Sequence, residues 1–415
     1  MQKFSGWLFL GFLLLYLLSA FGQIGLFFPT LLAWFAVAVY WPQLNRPIQL
    51  QAATLFALGL GLLAVAASQG TLLSLKDVLS ANLPLLAMFS AVSFLALTNK
   101  TDNQTPLPKG TASILSSALG INLLGAIINL SIVFIAGDRL SEKSPLSDAQ
   151  QKVLTRSFCA AAWWSPFFIA TAVSITYVPG LQWSDTLLPG LVMSLIALGF
   201  TSTEVYLKHR DNFEGYPIKP DSLMIPLCLA LLVIGLHFGL PDLSIILIIT
   251  CLAPLAALAF NQGTSRTSVR QFINHKLPNV GGQFLLFLAA GVFSAGIKGI
   301  LLAYPDTINL ANFSFTTPVF ATVLALMIIA GILGIHPVIS ISLASPLLLP
   351  LEPSPSQLGF LFLSSWAIST GSSPLSGVGL TMTGRYHCSS RRILQNNWYY
   401  ALVMWLLSVA MSTLL

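Results

Sequence analysis

The chain has 415 residues, of which 55% are hydrophobic and only 8% charged. A soluble protein of this length carries about a quarter charged residues, so a soluble domain is excluded. The formal net charge of +6 rests on few residues and reads as membrane orientation rather than nucleic-acid binding.

The apolar runs are continuous instead of alternating, which predicts an all-α integral membrane protein and not a barrel. A hydrocarbon core of about 30 Å takes about 20 helical residues. In chain order this ruler predicts spans at 5–21, 25–41, 52–68, 83–98, 154–178, 187–206, 222–239, 242–262, 279–303, 357–384 and 397–415. The first run, after Lys3, has features of a cleavable signal but is read as retained, because the topology then closes. Two stretches are left over, 111–136 and 316–350. Each is too long for one span and breaks near its middle, so each is read as a re-entrant hairpin.

Basic residues support that choice. With the N-terminus inside, the cytoplasmic segments collect Lys3, Arg46, Lys100, Lys109, Arg139, Lys143, Lys152, Arg156, Lys208, Arg210, Lys219, Arg266, Arg270, Lys276, Arg385, Arg391 and Arg392. Of the 19 basic residues only Lys76, in an outer loop, and Lys298, within a span, are left. Making either hairpin a full span would invert everything after it. The expectation is about eleven spans, two hairpins, a cytoplasmic N-terminus and a periplasmic C-terminus in a cell inner membrane.

The two halves align. "RSFCAAAWWSPFFIATAV" (Arg156–Val173) lies without a gap on "SSWAISTGSSPLSGVGLT" (Ser364–Thr381), placing Ser165-Pro166 on Ser373-Pro374. Upstream, "LGIN" (Leu119–Asn122) corresponds to "LGIHP" (Leu333–Pro337). The predicted organisation is an N-terminal helix at 1–24, a first repeat at 25–206, a cytoplasmic linker at 207–221 and a second repeat at 222–415. Each repeat holds five spans, an odd number, so the second copy is inverted. Broken helices in inverted repeats mark the substrate sites of secondary transporters.

The 357–384 segment carries no charge, yet "STGSSPLSG" in its middle weakens the helix. Groups freed there find no partner in lipid, but a ligand, an ion or water serves them. The hairpin tips are expected at Gly120-Ile121-Asn122 and Gly334-Ile335-His336-Pro337, meeting the breaks at Trp163–Pro166 and Gly371–Pro374. Candidate substrate-binding residues are Asn122, Ser165, His336, Thr370, Ser372, Ser373 and Ser376. The backbone at Gly120, Gly334 and Gly371 is a candidate coupling-ion site. His336, the one histidine expected at midplane depth, suits either anion contact or proton carriage. Trp163-Trp164 is read as a packing pair, with stacking on an aromatic solute as the alternative. Asn129 reads as helix–helix glue, with a second polar contact as the alternative, Lys298 as a snorkelling side chain and Arg156 as an interfacial anchor.

None of the 13 acidic residues falls clearly inside a predicted span, which disfavours an antiporter or a cationic substrate. The four cysteines lack metal-ligand spacing, and no metal or other cofactor is expected. Short loops and the lack of a phosphate-binding loop speak against an enzyme or direct ATP drive.

With these spans, hairpins and Ser-Pro breaks, the chain resembles the ion transporter superfamily, nearest the divalent anion/sodium symporter pattern. "WSPFFIATAV" and "SSPLSGVGLTMTGRY" resemble that family's broken helices, and "FLLFLAAGVFSAGIKGILL" (Phe284–Leu302) its glycine-rich span before the second hairpin. The family's Ser-Asn-Thr hairpin motifs are absent here, and so is its Asn after each Pro. The resemblance implies elevator-like alternating access, a homodimer in the bilayer and symport of a small anionic solute with Na+ or H+. The alternatives are a neutral or aromatic solute and a non-transporting membrane scaffold.

Overall fold

The computed structural model describes residues 2–98, 106–209, 213–217, 220–260, 266–305, 310 and 313–415. Lys100, Arg210 and Lys219, counted above with the basic face, lie outside the described residues, as does part of the 207–221 linker. The described residues are helical on every predicted apolar segment, and the only strand-like pairing among them is one isolated bridge between Lys109 and Glu214. Among the described residues five helices, Thr111–Ile128 included, are long and apolar enough to cross a membrane on their own, and shorter apolar helices accompany them. The chain is a multi-pass helical membrane protein.

The fold divides into two compact units, each drawn from both halves of the sequence. The first comprises Met1–Thr98, Leu231–Ser314 and Ile341–Glu352. It holds α1 (Gln2–Ala20), α2 (Phe27–Tyr40), α3 (Arg46–Ser68), α4 (Leu75–Ser80) and α5 (Leu83–Ser93). The second comprises Asn99–Ala230, Phe315–Ser340 and Pro353–Leu415. It holds α6 (Thr111–Ile128), α7 (Ser131–Leu140), α8 (Asp148–Ala160), α9 (Ile169–Tyr177) and α10 (Trp183–His209). Next in the chain, α11 (Pro220–Gly239) is shared between the units, while α12 (Ile245–Ala259), α13 (Arg266–Gln271) and α14 (Gly281–Ala303) belong to the first. The second unit is completed by α15 (Thr317–Ile332), the start of α16 (Pro337–Leu348), α17 (Pro355–Ser372), α18 (Gly377–Gly384) and α19 (Ser390–Ser412).

In the first unit α3 and α14 approach at backbone distance because small residues face each other. A Cβ on Gly59 would sit 2.8 Å from the Phe293 backbone, and one on Gly296 would sit 2.7 Å from the Gly59 carbonyl oxygen. In lipid, where association rests on packing and not on water exclusion, such contacts set helix pairs. Phe9, Phe12 and Phe284 pack edge to face nearby, with ring centres 4.7 and 5.1 Å apart about Phe284. The buried Asn82 amide donates to Phe287 O at 2.6 Å. Lys298 is exposed.

The second unit begins helices with side-chain caps. Ser147 and Gln150 form a reciprocal capping box at α8, Ser354 accepts from Gln357 N at α17, and Ser376 accepts from Gly379 N at α18. Both expected breaks are present. The first runs between Ala160 and Ile169 through a short 3-10 turn, and the second between Ser372 and Gly377. Pro166 and Pro374 bring no N–H, and Ser373 before Pro374 is extended, as the steric clash with a proline ring demands. The broken helices run antiparallel. Trp163 bonds Ser364, while Cys159, a turn earlier, packs on Gly371, two turns later.

The first hairpin turns later than the sequence suggested. Gly120 and Asn122 lie in the middle of α6, and the chain reverses at Asn129, whose φ is 51°. An isolated glycine in a helix costs only about 1 kcal/mol, too little to stop it without a proline. With ψ at −139° Asn129 lies outside the αL well, and its side chain is held by Phe167 O; the second arm then extends to Leu140 instead of 136. The second hairpin turns at the expected place, with Gly334 at φ 95° and Pro337 opening α16.

Gly59→Leu should overpack the α3–α14 seam by about 1–3 kcal/mol or more and lower the melting temperature of the purified protein. Gly61→Leu, where a Cβ meets nothing within 4 Å, should leave it unchanged.

Candidate functional site

Each break is closed onto a hairpin arm by the serine that precedes its proline. Ser165 donates to Ala126 O, near the end of α6, and accepts from Phe167 N at 3.2 Å. Ser373 donates to Ile332 O, the last residue of α15, at 3.1 Å and accepts from Leu375 N at 3.1 Å. Each hydroxyl thus satisfies one freed N–H of its break and one loose carbonyl of a hairpin arm. Ser165 and Ser373 are both 1% exposed or less.

Around the first break, Asn122 donates to Ser157 O at 2.9 Å and to Ser194 Oγ at 3.3 Å, and accepts from Trp164 Nε1 at 3.3 Å. Asn129 donates to Phe167 O at 3.1 Å and so ties the first hairpin turn to the break. The tryptophan pair divides in role. Trp163 is fully buried and bonds Ser364, whereas Trp164 is half-buried and its carbonyl accepts from Trp183 Nε1 at 2.8 Å.

Around the second break, Ser376 donates to Thr370 O and Ser373 O at 2.8 and 3.0 Å while capping α18. The hydroxyls of Thr370 and Ser372 are buried without any hydrogen-bond partner. His336 sits edge-on to Trp366, ring centres 5.5 Å apart, and its Nδ1 accepts from Val338 N at 3.3 Å at the start of α16. With Nδ1 accepting, the neutral ring carries its proton on Nε2. Gly331 packs against Ser369, Gly334 against Leu375 and Gly371 against Cys159, so the second hairpin and both broken helices meet closely there. Of the three candidate backbone positions, Gly334 and Gly371 lie at the second break's surroundings and Gly120 within a continuous helix.

Charged groups whose partners the sequence reading did not identify form a buried network. Arg156 is no interfacial anchor: it is 1% exposed, donates to Glu204 Oε2 and Asn397 Oδ1 at 2.7 Å each, and lies 4.6 Å over the Tyr400 ring. Lys152 reaches Glu204 Oε1 at 2.6 Å. Glu204, near the end of α10, is therefore an acid inside a helix that spans, paired by two buried cations. Pairing of charges at equal depth on neighbouring spans, with Asn396-Asn397 in the last one, was the available signal. A second tie joins Asp138 of α7 to Arg385 by two bonds of 2.7 Å and to Tyr386 Oη at 2.8 Å. The Arg385 hydrogen bond holds the Asp138 carboxyl below its usual range. A cavity of about 700 Å³ opens between the loops at 141–148 and 385–393, bordered by Lys143, Asp148, His387 and Arg392. It does not include the breaks.

No protein-family profile and no curated protein matches the sequence. Among solved structures, the chain is similar to the YdaH transporter of Alcanivorax borkumensis, with a TM-score of 0.58 over 88% of this chain and 97% of that one. Identity is 14%. The two share a helical fold.

Removing one partner of a buried ion pair costs about 3–5 kcal/mol. Arg156→Met and Glu204→Gln should each lower thermal stability, and the double variant should lose less than their sum, with a coupling of about 1–3 kcal/mol. Melting curves of the four proteins measure it.

Proposed function

We propose that the protein is a secondary transporter that carries a small organic anion of the carboxylate type by alternating access and couples it to sodium. In this reading the two broken helices, the first hairpin and α15 belong to inverted copies and form one moving body. The observation that carries it is the pair of breaks, each closed on a hairpin by a buried serine, in a chain with no acid at either break. The helices that start beside them, α9, α16 and α18, offer the positive ends of their dipoles to an anion. The fold shared with a transporter supports the class of activity; the anion is argued from the residues.

Sodium is preferred to a proton for a chemical reason. Protonating His336 at Nδ1 would break the bond that caps α16. Hydroxyls and carbonyls at the end of α17, by contrast, are the oxygen donors a small hard cation takes.

The test is a ligand screen by thermal shift on the purified protein, across mono- and dicarboxylates, inorganic anions and uncharged aromatic solutes. A carboxylate should raise the melting temperature with concentration. His336→Ala should weaken it about tenfold, the loss of one hydrogen bond to a charged group. A shift by an uncharged aromatic solute and by no anion would refute the anion assignment.

A further inference from the structure

The cavity of about 700 Å³ between the loops at 141–148 and 385–393 has no part in the transport reading above. Its two walls come from opposite halves of the sequence and belong to the same unit. One wall is the loop that leaves α7 of the first hairpin and enters α8, and the other is the loop that leaves α18 and enters α19. Hydrogen bonds fix both. Asp138 accepts two bonds from Arg385 and one from Tyr386 Oη, Arg139 pairs with Glu142, and Cys388 N donates to Met382 O at 2.9 Å. The Ser147–Gln150 capping box sets the start of α8. His387, between these ties, is held at φ 54°. The space is bounded by walls that are in place before any ligand arrives.

Charge around it is unequal. The basic groups Arg139, Lys143, Arg385 and Arg392 stand against the acids Asp138, Glu142 and Asp148, which leaves one cation in excess. Arg139 and Arg385 are engaged by Glu142 and Asp138. Arg392 lies 3.9 Å from Asp148, beyond hydrogen-bond distance. Lys143 makes no ion pair among the described residues. The hydroxyls of Ser144 and Ser389 line the same space, and Ser389 makes no cap bond to α19.

A single-atom anion would leave most of this cavity empty. A phosphate group carries up to two charges and three strong acceptor oxygens, so it can meet an ammonium, a guanidinium and hydroxyls that arrive from two walls. Pro145, Leu146 and Ile393 supply apolar lining for the remainder of the molecule.

We infer that this cavity binds a phosphate group, with Lys143, His387, Arg392 and the hydroxyls of Ser144 and Ser389 as donors. The bound group bridges the walls and clamps the outlet of the first hairpin to the start of α19. Both walls belong to the basic face that the sequence reading expects in the cytoplasm, where soluble phosphate esters and acidic phospholipid headgroups both present this group.

Calorimetric titration of the full-length protein in detergent with sodium phosphate, against sodium chloride at matched ionic strength, is the first test. Saturable binding at one site per chain is expected. Lys143→Ala should weaken it about tenfold, the loss of one hydrogen bond to a charged group, and Lys143→Glu should abolish it. Lys109→Ala, at an exposed pair with Glu214 outside the cavity, should leave it unchanged. Lys143 is exposed, so its variants keep the fold, which an unchanged melting temperature without phosphate verifies. Deuterium exchange at 141–148 and 385–393 should slow when phosphate is added. The second test repeats exchange and titration in phosphatidylcholine nanodiscs with and without phosphatidylglycerol. Slowed exchange in both loops with phosphatidylglycerol alone assigns the group to a lipid headgroup. Equal phosphate affinity in the two discs assigns it to a soluble ester. Binding that survives Lys143→Glu, slowed exchange only outside the two loops, or no response to either phosphate or phosphatidylglycerol would each overturn the inference.

Discussion

Everything in the second unit depends on the requirement that backbone groups freed inside a lipid-embedded helix find partners within the protein. Two prolines force the issue, at Pro166 and Pro374, and the residue before each supplies the answer. A serine hydroxyl is both donor and acceptor, so one side chain closes two loose ends: an N–H of the break and a carbonyl of the hairpin arm. This contact ties α6 to the first break and α15 to the second.

The rest of the unit supports that arrangement from its ends. Arg156 ties α8 to α10 and α19 through Glu204 and Asn397, and Asp138 ties the outgoing arm of the first hairpin to the segment after α18 through Arg385 and Tyr386. A buried pair such as Arg156–Glu204 adds little net stability over an apolar packing of equal volume. What it adds is register, since the guanidinium fits only one set of acceptors. The first unit uses a different device, glycines at Gly59 and Gly296 that bring α3 and α14 to backbone contact.

Much of this was legible in the sequence, for identifiable reasons. Hydrocarbon thickness fixes helix length, so the apolar segments fell where the helices are. Proline leaves no choice, so both breaks and the second hairpin turn at Gly334–Pro337 were placed correctly. The first hairpin turn was not, because Gly120 only weakens a helix and the reversal was left to Asn129, whose tolerance of positive φ is a weaker signal. The roles of Asn122 and Arg156 were hidden for another reason. Their partners, Ser157, Ser194 and Trp164 in one case and Glu204 and Asn397 in the other, are brought together only by packing between distant helices. The unpaired state of Thr370 and Ser372 belongs to the same class: composition shows the hydroxyls, and only the fold shows that nothing meets them.

The central claim is that each break serine holds its own hairpin. Deuterium exchange of the amides at 333–336 and 373–377, compared between wild type and Ser373→Ala, addresses it without any ligand. The account predicts faster exchange in both segments in the variant, with 126–130 and 164–169 unchanged. Unaltered exchange at 333–336 would mean that the hairpin is held by other contacts and would contradict the account.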